Sequence, residues 1–178
     1  MIETSRLTGR PLAASDLSEL LVLHRDQRVL SAFGAEPGTD DDTRQFLARK
    51  LAHWHQHGFG IWMFRDPART FIGRCGIHRW RDEVELGYIV EPSFWGQGFA
   101  TEMATAVAGH AFTALDLPNL VAFTREENVA SRRVMEKVGF VYERDFLDEG
   151  VQNVLYRLEA DSLGRQRTGI YSVWSPCR

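Results

Sequence analysis

From Glu85 to Glu102 the chain reads as a strand, a two-glycine turn and the start of a helix, and no other stretch limits the fold as much. Leu86, Tyr88 and Val90 alternate with Gly87, Ile89 and Glu91, the period of a strand with two different faces. Pro92 ends the pairing because it has no N–H to give. Gly96 and Gly98 permit a sharp turn and a close approach to the backbone. The run Glu102-Met103-Ala104-Thr105-Ala106-Val107-Ala108 is helical in composition. Glycine amides leading into a helix N-terminus form an anion site, through unpaired N–H groups and the helix dipole. The expected occupant is the pyrophosphate of a coenzyme.

A further strand at residues 120–124 follows that helix. Strand, helix and strand make a crossover unit, so the two strands should be parallel. The remaining elements fall around this unit. Residues 7–12 read as a first strand. Ser15 is placed to cap a helix carrying Leu17, Leu20, Leu21 and His24. Residues 31–38 read as a loop from their Gly and Pro content. Thr39 then caps a second helix with Asp40, Asp41 and Asp42 in its first turn, ending near Gly58. Residues 60–65, 70–78 and 84–91 form a meander with short turns, hence antiparallel. Ala104, Ala108 and Ala111 give the glycine-loop helix a small face that can lie close to a sheet. A helix over 129–138 ends at Gly139, and residues 140–146 and 151–158 make a hairpin.

The order predicts one α/β domain over residues 1–160, a mixed sheet with helices on both faces, followed by a tail over 161–178. The length of 178 residues suits one domain. A net charge of −3 gives no reason to expect nucleic acid. No run approaches the roughly 20 apolar residues of a membrane span. Cys75 and Cys177 are far apart, so a disulfide framework is not expected and a reducing, cytoplasmic setting is.

Three kinds of phosphate-binding loop compete for residues 96–101. A nucleoside-triphosphate loop needs Gly-x-x-x-x-Gly-Lys-Ser/Thr, which the chain lacks. A dinucleotide fingerprint needs Gly or Ala where Thr101 stands, and normally an all-apolar strand before it, whereas Glu85 and Glu91 bracket this one. Trp95-Gly96-Gln97-Gly98-Phe99-Ala100 resembles instead the acetyl-coenzyme A loop of the GNAT N-acetyltransferases. The wording of residues 94–102 is closest to the branch that acetylates ribosomal-protein N-termini. Thr4-Ser5-Arg6-Leu7, Phe71-Ile72-Gly73-Arg74-Cys75-Gly76-Ile77 and residues 128–140 resemble further pieces of that branch, in the expected order.

The resemblance implies a splayed, mostly antiparallel twisted sheet and direct attack of a primary amine on acetyl-CoA, with no metal. The amine would be a protein N-terminal α-amine or a small molecule. Gly96, Gln97, Gly98, Phe99, Ala100 and Thr101, with Trp95, would hold the pyrophosphate. Backbone at Tyr88, Ile89 and Val90 would pair with the peptide-like pantetheine arm. An N–H of Ile89 or Val90 is the implied oxyanion donor. The amine must also lose a proton, and Glu85 is the candidate base, against a reading as a solvated strand-end residue. Ser131 is a candidate to meet the thiolate, against a backbone-bonded helix hydroxyl. Asn128 is a helix cap that is also placed for pantetheine. Of Arg132, Arg133 and Lys137, Arg133 is the candidate for the coenzyme's third phosphate. Met135 stands where many members have a Tyr acid. That departure motivates a rival reading, a noncatalytic acyl-CoA-binding module. His53, His55 and His57 share no pattern with Cys or carboxylates, so a metal is not expected. Phe33 is a candidate wall of the acceptor site. A homodimer stays open.

Overall fold

The computed structural model describes residues 1–148 and 150–162. The expected tail over 161–178 therefore lies almost wholly outside the described residues, as do Cys177 and Glu149 of the last turn. The strands are β1 (Ile2–Glu3), β2 (Thr8–Pro11), β3 (Ile61–Arg65), β4 (Phe71–Trp80), β5 (Glu83–Val90), β6 (Asn119–Arg125), β7 (Val141–Asp148) and β8 (Val151–Glu159). The helices are α1 (Leu17–Arg25), α2 (Gln27–Phe33), α3 (Asp40–His57), α4 (Phe99–Thr113) and α5 (Val129–Val138). One eight-stranded sheet runs in the order β1-β2-β3-β4-β5-β6-β8-β7. It is the expected mixed α/β sheet, antiparallel at every step except β5–β6.

Helices cover both faces. Met103, Ala104, Val107, Ala108 and Ala111 of α4 are buried against Val84, Leu86 and Val90 of β5, joined by Met135 and Val138 of α5. On the other face, Leu20 of α1 and Leu47 of α3 pack on Leu12, Ile61 and Met63. The small face of α4 behaves as its alanines require: without long side chains between them, helix and sheet approach closely.

Local chemistry sets the helix ends. Thr39 caps α3 by accepting from the N–H of Asp42, whose carboxylate accepts in return from the Thr39 N–H at 2.7 Å. Gly58 closes it with φ +73°. Two expectations need correction. Ser15 caps nothing: the Asp16 carboxylate accepts from the Ala13 N–H at 2.8 Å and pairs with Arg10, so residues 14–16 form a 3-10 turn and α1 starts at Leu17. Residues 31–33 are not loop but the end of α2, which Asp26 caps and Gly34 closes with φ +55°. Residues 7–12 also pair only over Thr8–Pro11, and a short β1 adds outside them.

The parallel step is the exceptional one. β5 and β6 share a single register pair, Glu85 with Val121, while β4–β5 and β6–β8 remain paired along their lengths. Beyond Glu85 the two strands part toward their C-terminal ends. The N-termini of α4 and α5 flank the opening, since each helix follows one of the two strands. No helix among the described residues is long and apolar enough to cross a membrane.

Beside the opening, Gly76 and Gly87 face each other across β4 and β5. A Cβ on Gly76 would stand 2.3 Å from the Gly60 carbonyl oxygen. Gly76→Ala is therefore expected to lower the unfolding free energy by about 1–3 kcal/mol, through backbone displacement in β3. Urea unfolding with an unchanged slope would register this as a shift of midpoint.

Candidate active site

The glycine loop is built before the helix begins. Pro92–Phe94 forms a 3-10 turn, held by the Glu91 carboxylate accepting from the Ser93 N–H at 3.0 Å. Gly96 and Gly98 then take φ +75° and +83°, in the left-handed region. Gly98 is the N-cap of α4 and brings no side-chain acceptor. The contrast with α2, α3 and α5 is informative, because Asp26, Thr39 and Asn128 cap those three. The first intrahelical bond of α4 runs from Glu102 N–H to Gly98 C=O. The N–H groups of Phe99, Ala100 and Thr101 have no acceptor among the described residues. They fit an anion.

A cation stands beside them. Arg6 lies with its guanidinium carbon 4.1 Å from the Phe99 ring centroid, donates to the Gln97 carbonyl at 3.1 Å and pairs with Glu102 at 2.5 Å. Glu102 also accepts from Thr4 Oγ1 and the Arg6 N–H. The start of the chain thus ties the loop down. No role for Arg6 followed from the sequence; its signal was only its place in the quoted motif at residues 4–7.

Trp95, 45% exposed, donates its indole N–H to the Val90 carbonyl at 2.8 Å, and Gln97 donates to the Ser93 carbonyl. The backbone of β5 divides by parity. The Glu91 N–H bonds to Ile72 O, and hydrogen-bonded pairs alternate along an antiparallel ladder. Ile89 and Arg74 are then the next bonded pair, so the Ile89 N–H is turned into the sheet. The N–H groups of Tyr88 and Val90 face the opening. Of the two oxyanion donors considered, only Val90 points the right way.

The side chains of β5 also divide. Tyr88 turns toward α5, where its hydroxyl lies 2.9 Å from Ser131 Oγ and 3.0 Å from Ser131 O. Burial pushes the Tyr88 hydroxyl pKa up, so it stays protonated. Met135 is 1% exposed and belongs to the core, with no access to the opening. Asn128 accepts from the Ser131 N–H at 3.1 Å and donates to the Ala32 carbonyl at 2.9 Å. Its amide serves the expected α5 cap and also ties α5 to α2. Arg132 is engaged by Tyr156 Oη and the Glu126 carbonyl, while Arg133 is exposed with no carboxylate partner among the described residues.

On the opposite face of β5 stands Glu85, its side chain 13% exposed. One carboxylate oxygen lies 3.1 Å from His78 Nε2, and the other leans over Gly87, 3.6 Å from where a Cβ would be. His78, Arg74, Phe46, Lys50 and His24 surround this floor, and Phe33 lies at the exposed end of α2. His53 takes no part as a ligand: its Nδ1 lies 2.9 Å from Phe59 O and its Nε2 accepts from the Arg79 N–H at 3.1 Å.

Residues 6–141 match the acetyltransferase (GNAT) domain. The chain belongs to the GNAT acetyltransferase family. It is 38% identical over 167 residues to the FsC-acetyl coenzyme A-N(2)-transacetylase of Aspergillus fumigatus, covering 83% of this chain and 68% of that one. An acetyltransferase structure from Agrobacterium tumefaciens superposes with a TM-score of 0.79 at 29% identity, over 89% of this chain and 93% of the other. The spermidine N-acetyltransferase of Vibrio cholerae, solved with CoA and spermine, shares the fold with a TM-score of 0.74 at 22% identity, over 89% and 98%. This GNAT protein is an acetyl-CoA-dependent acyltransferase, and acetyl-CoA is its acyl donor.

Two measurements bear on this geometry. Gly98→Asp brings a carboxylate to the uncapped N–H groups, and titration calorimetry should find acetyl-CoA binding weakened about 100-fold or more. Burial first, and Arg74 second, lower the His24 pKa to about 4, below its ordinary 6.5. The unfolded chain then binds the extra proton first, so stability is lost as pH falls from about 6.5 toward 4. The loss over that window should be smaller in His24→Gln, as read from denaturant unfolding at each pH.

Proposed function

We propose that this GNAT enzyme acetylates a primary amine by direct attack, with the amine delivered to the Glu85 face of β5. One observation carries the reading: the uncapped N-terminus of α4 and the free edge of β5 meet at the mouth of the same opening, and Glu85 stands on that strand. The phosphates fit the first, an extended amide arm fits the second, and the base lies on the far side.

Acetyl-CoA supplies the acetyl group as a thioester. Residues 96–101, together with Arg6, hold its pyrophosphate, and the exposed Arg133 serves the remaining phosphate. The free edge of β5 at Tyr88 orients the pantetheine arm. The Val90 N–H donates to the oxygen that becomes negative when the amine nitrogen bonds to the carbonyl carbon. An alkylammonium is mostly protonated at neutral pH, so a proton must leave before attack. Glu85 takes it through the oxygen that His78 leaves free. As the carbon–sulfur bond breaks, the thiolate needs a donor. When Tyr88 donates to Ser131 Oγ, the Ser131 O–H is left for the sulfur. Met135 therefore gives little support to a noncatalytic module, since the Tyr88–Ser131 hydroxyl pair offers the thiolate a donor.

The acceptor class proposed is a protein N-terminal α-amine or a small-molecule amine. The reaction is placed in the cytoplasm, where acetyl-CoA is available.

Acetyl-CoA consumption against a panel of small amines and N-terminal peptides tests the reading; tight acetyl-CoA binding with no turnover on any acceptor would overturn it. With an active acceptor, Glu85→Gln should lower kcat about 100-fold and flatten the acidic limb of the pH–rate profile. A normal profile would remove Glu85 as the base.

A further inference from the structure

The acceptor face holds two cations, with Glu85 the carboxylate that faces both from a distance. Arg74 of β4 and Lys50 of α3 both approach the Phe46 ring, at 4.8 and 5.6 Å from its centroid. Neither has a carboxylate within salt-bridge distance among the described residues. Three other partly buried arginines are matched: Arg10 by Asp16, Arg65 by Glu19 and Arg157 by Glu83 and Glu143. The Arg74 Nε is buried and has no hydrogen-bond partner among the described residues, and the same is true of His24 Nε2. His24 packs edge-on against the same Phe46 ring at 4.9 Å. Two orphaned nitrogens and two unpaired cations thus meet around one aromatic side chain.

A buried donor left unbonded is costly, more so on a charged group. Burial lowers the Arg74 pKa only to about 10, so it stays cationic at neutral pH. The charge is retained, offset only in part by the more distant Glu85. Its place says what would complete it. Arg74 is the cross-strand partner of Ile89, and Gly76–Gly87 is the pair two residues further on, under the free oxygen of Glu85. Two residues along a strand span about 7 Å. An amine over Gly87 and an anionic group beside Arg74 are thus a few bonds apart in one small molecule or one N-terminal residue.

We propose that the acceptor of this enzyme carries a carboxylate or similar anionic group near its amine, and that Arg74 and Lys50 bind that group. This rests on the Glu85 face being the acceptor side. Arg74 and Lys50 determine specificity; they exclude polyamines, whose second ammonium would be set against two cations in a partly dry pocket. A guanidinium fork and an ammonium, backed by an imidazole that stays neutral, suit a carboxylate's two oxygens.

Three amines of equal length test the idea with acetyl-CoA: δ-aminovalerate, its primary amide and cadaverine. The expected order of kcat/KM is carboxylate, amide, diamine, with about tenfold or more between the ends. Arg74→Gln and Lys50→Gln should each collapse that ratio, through KM for the carboxylate. Lys50→Gln carries the test if the circular dichroism spectrum shows that Arg74→Gln does not fold. Asp-Ala-amide and Asn-Ala-amide form a second arm: preference for Asp with poor use of δ-aminovalerate identifies an acidic peptide N-terminus, and the converse a free amino acid. Cadaverine used as well as δ-aminovalerate, or a preference unchanged in both variants, overturns the proposal. Calorimetry of δ-aminovalerate on the CoA-loaded protein separates it from the acetyltransferase reading. Binding that Arg74→Gln abolishes, without turnover of any amine, keeps the anion site and sinks the reaction assignment; no binding and no turnover sinks the anion site.

Discussion

The parting of β5 from β6 is the constraint on which the rest of the structure depends. A parallel pair that kept its ladder would saturate both edges of β5 and leave no backbone for a ligand. With only Glu85 and Val121 in register, the edge beyond is free, and the sheet is held together by its neighbours. β4 secures β5, and β8 secures β6. The cost of unpaired N–H groups is concentrated where a substrate can satisfy them.

Two helices start at that opening and are finished differently. Asn128 satisfies the first turn of α5 and ties it to α2, which makes that side rigid. Gly98 leaves the first turn of α4 unsatisfied, and Arg6, paired with Glu102, ties the loop down beside it. Anchoring of the donor and rigidity of the frame are thus assigned to different helix ends. The two faces of β5 then separate donor from acceptor: Tyr88 reaches toward Ser131 under one side, while Glu85, Gly87 and Ile89 present the other.

Much of the donor side was legible in the sequence, because it is local. The strand alternation over residues 84–91, the glycine pair and the alanine face of α4 are short-range patterns, and each became the element it implied. The miss at residues 31–33 came from reading Gly34 and Pro37 as loop when Gly34 was the stop of a helix. The miss at Ser15 came from a neighbour: Asp16 found a partner in Arg10 and took over the turn. The tie from Asn128 to the Ala32 carbonyl was not legible, because the two lie 96 residues apart.

The sequence by itself determined the family, the order of the elements and the phosphate loop, since these rest on turn chemistry and on the periods of strand and helix. Only the tertiary structure decided which N–H of β5 faces the opening, because that parity is set by pairing with Ile72 on β4. It alone placed Arg6 at the loop and the Tyr88 hydroxyl on Ser131. It alone gathered Arg74, Lys50, His24 and Glu85 from four separate elements onto one face. Charge balance in a pocket is a sum over groups distant in sequence, so no local pattern can report it.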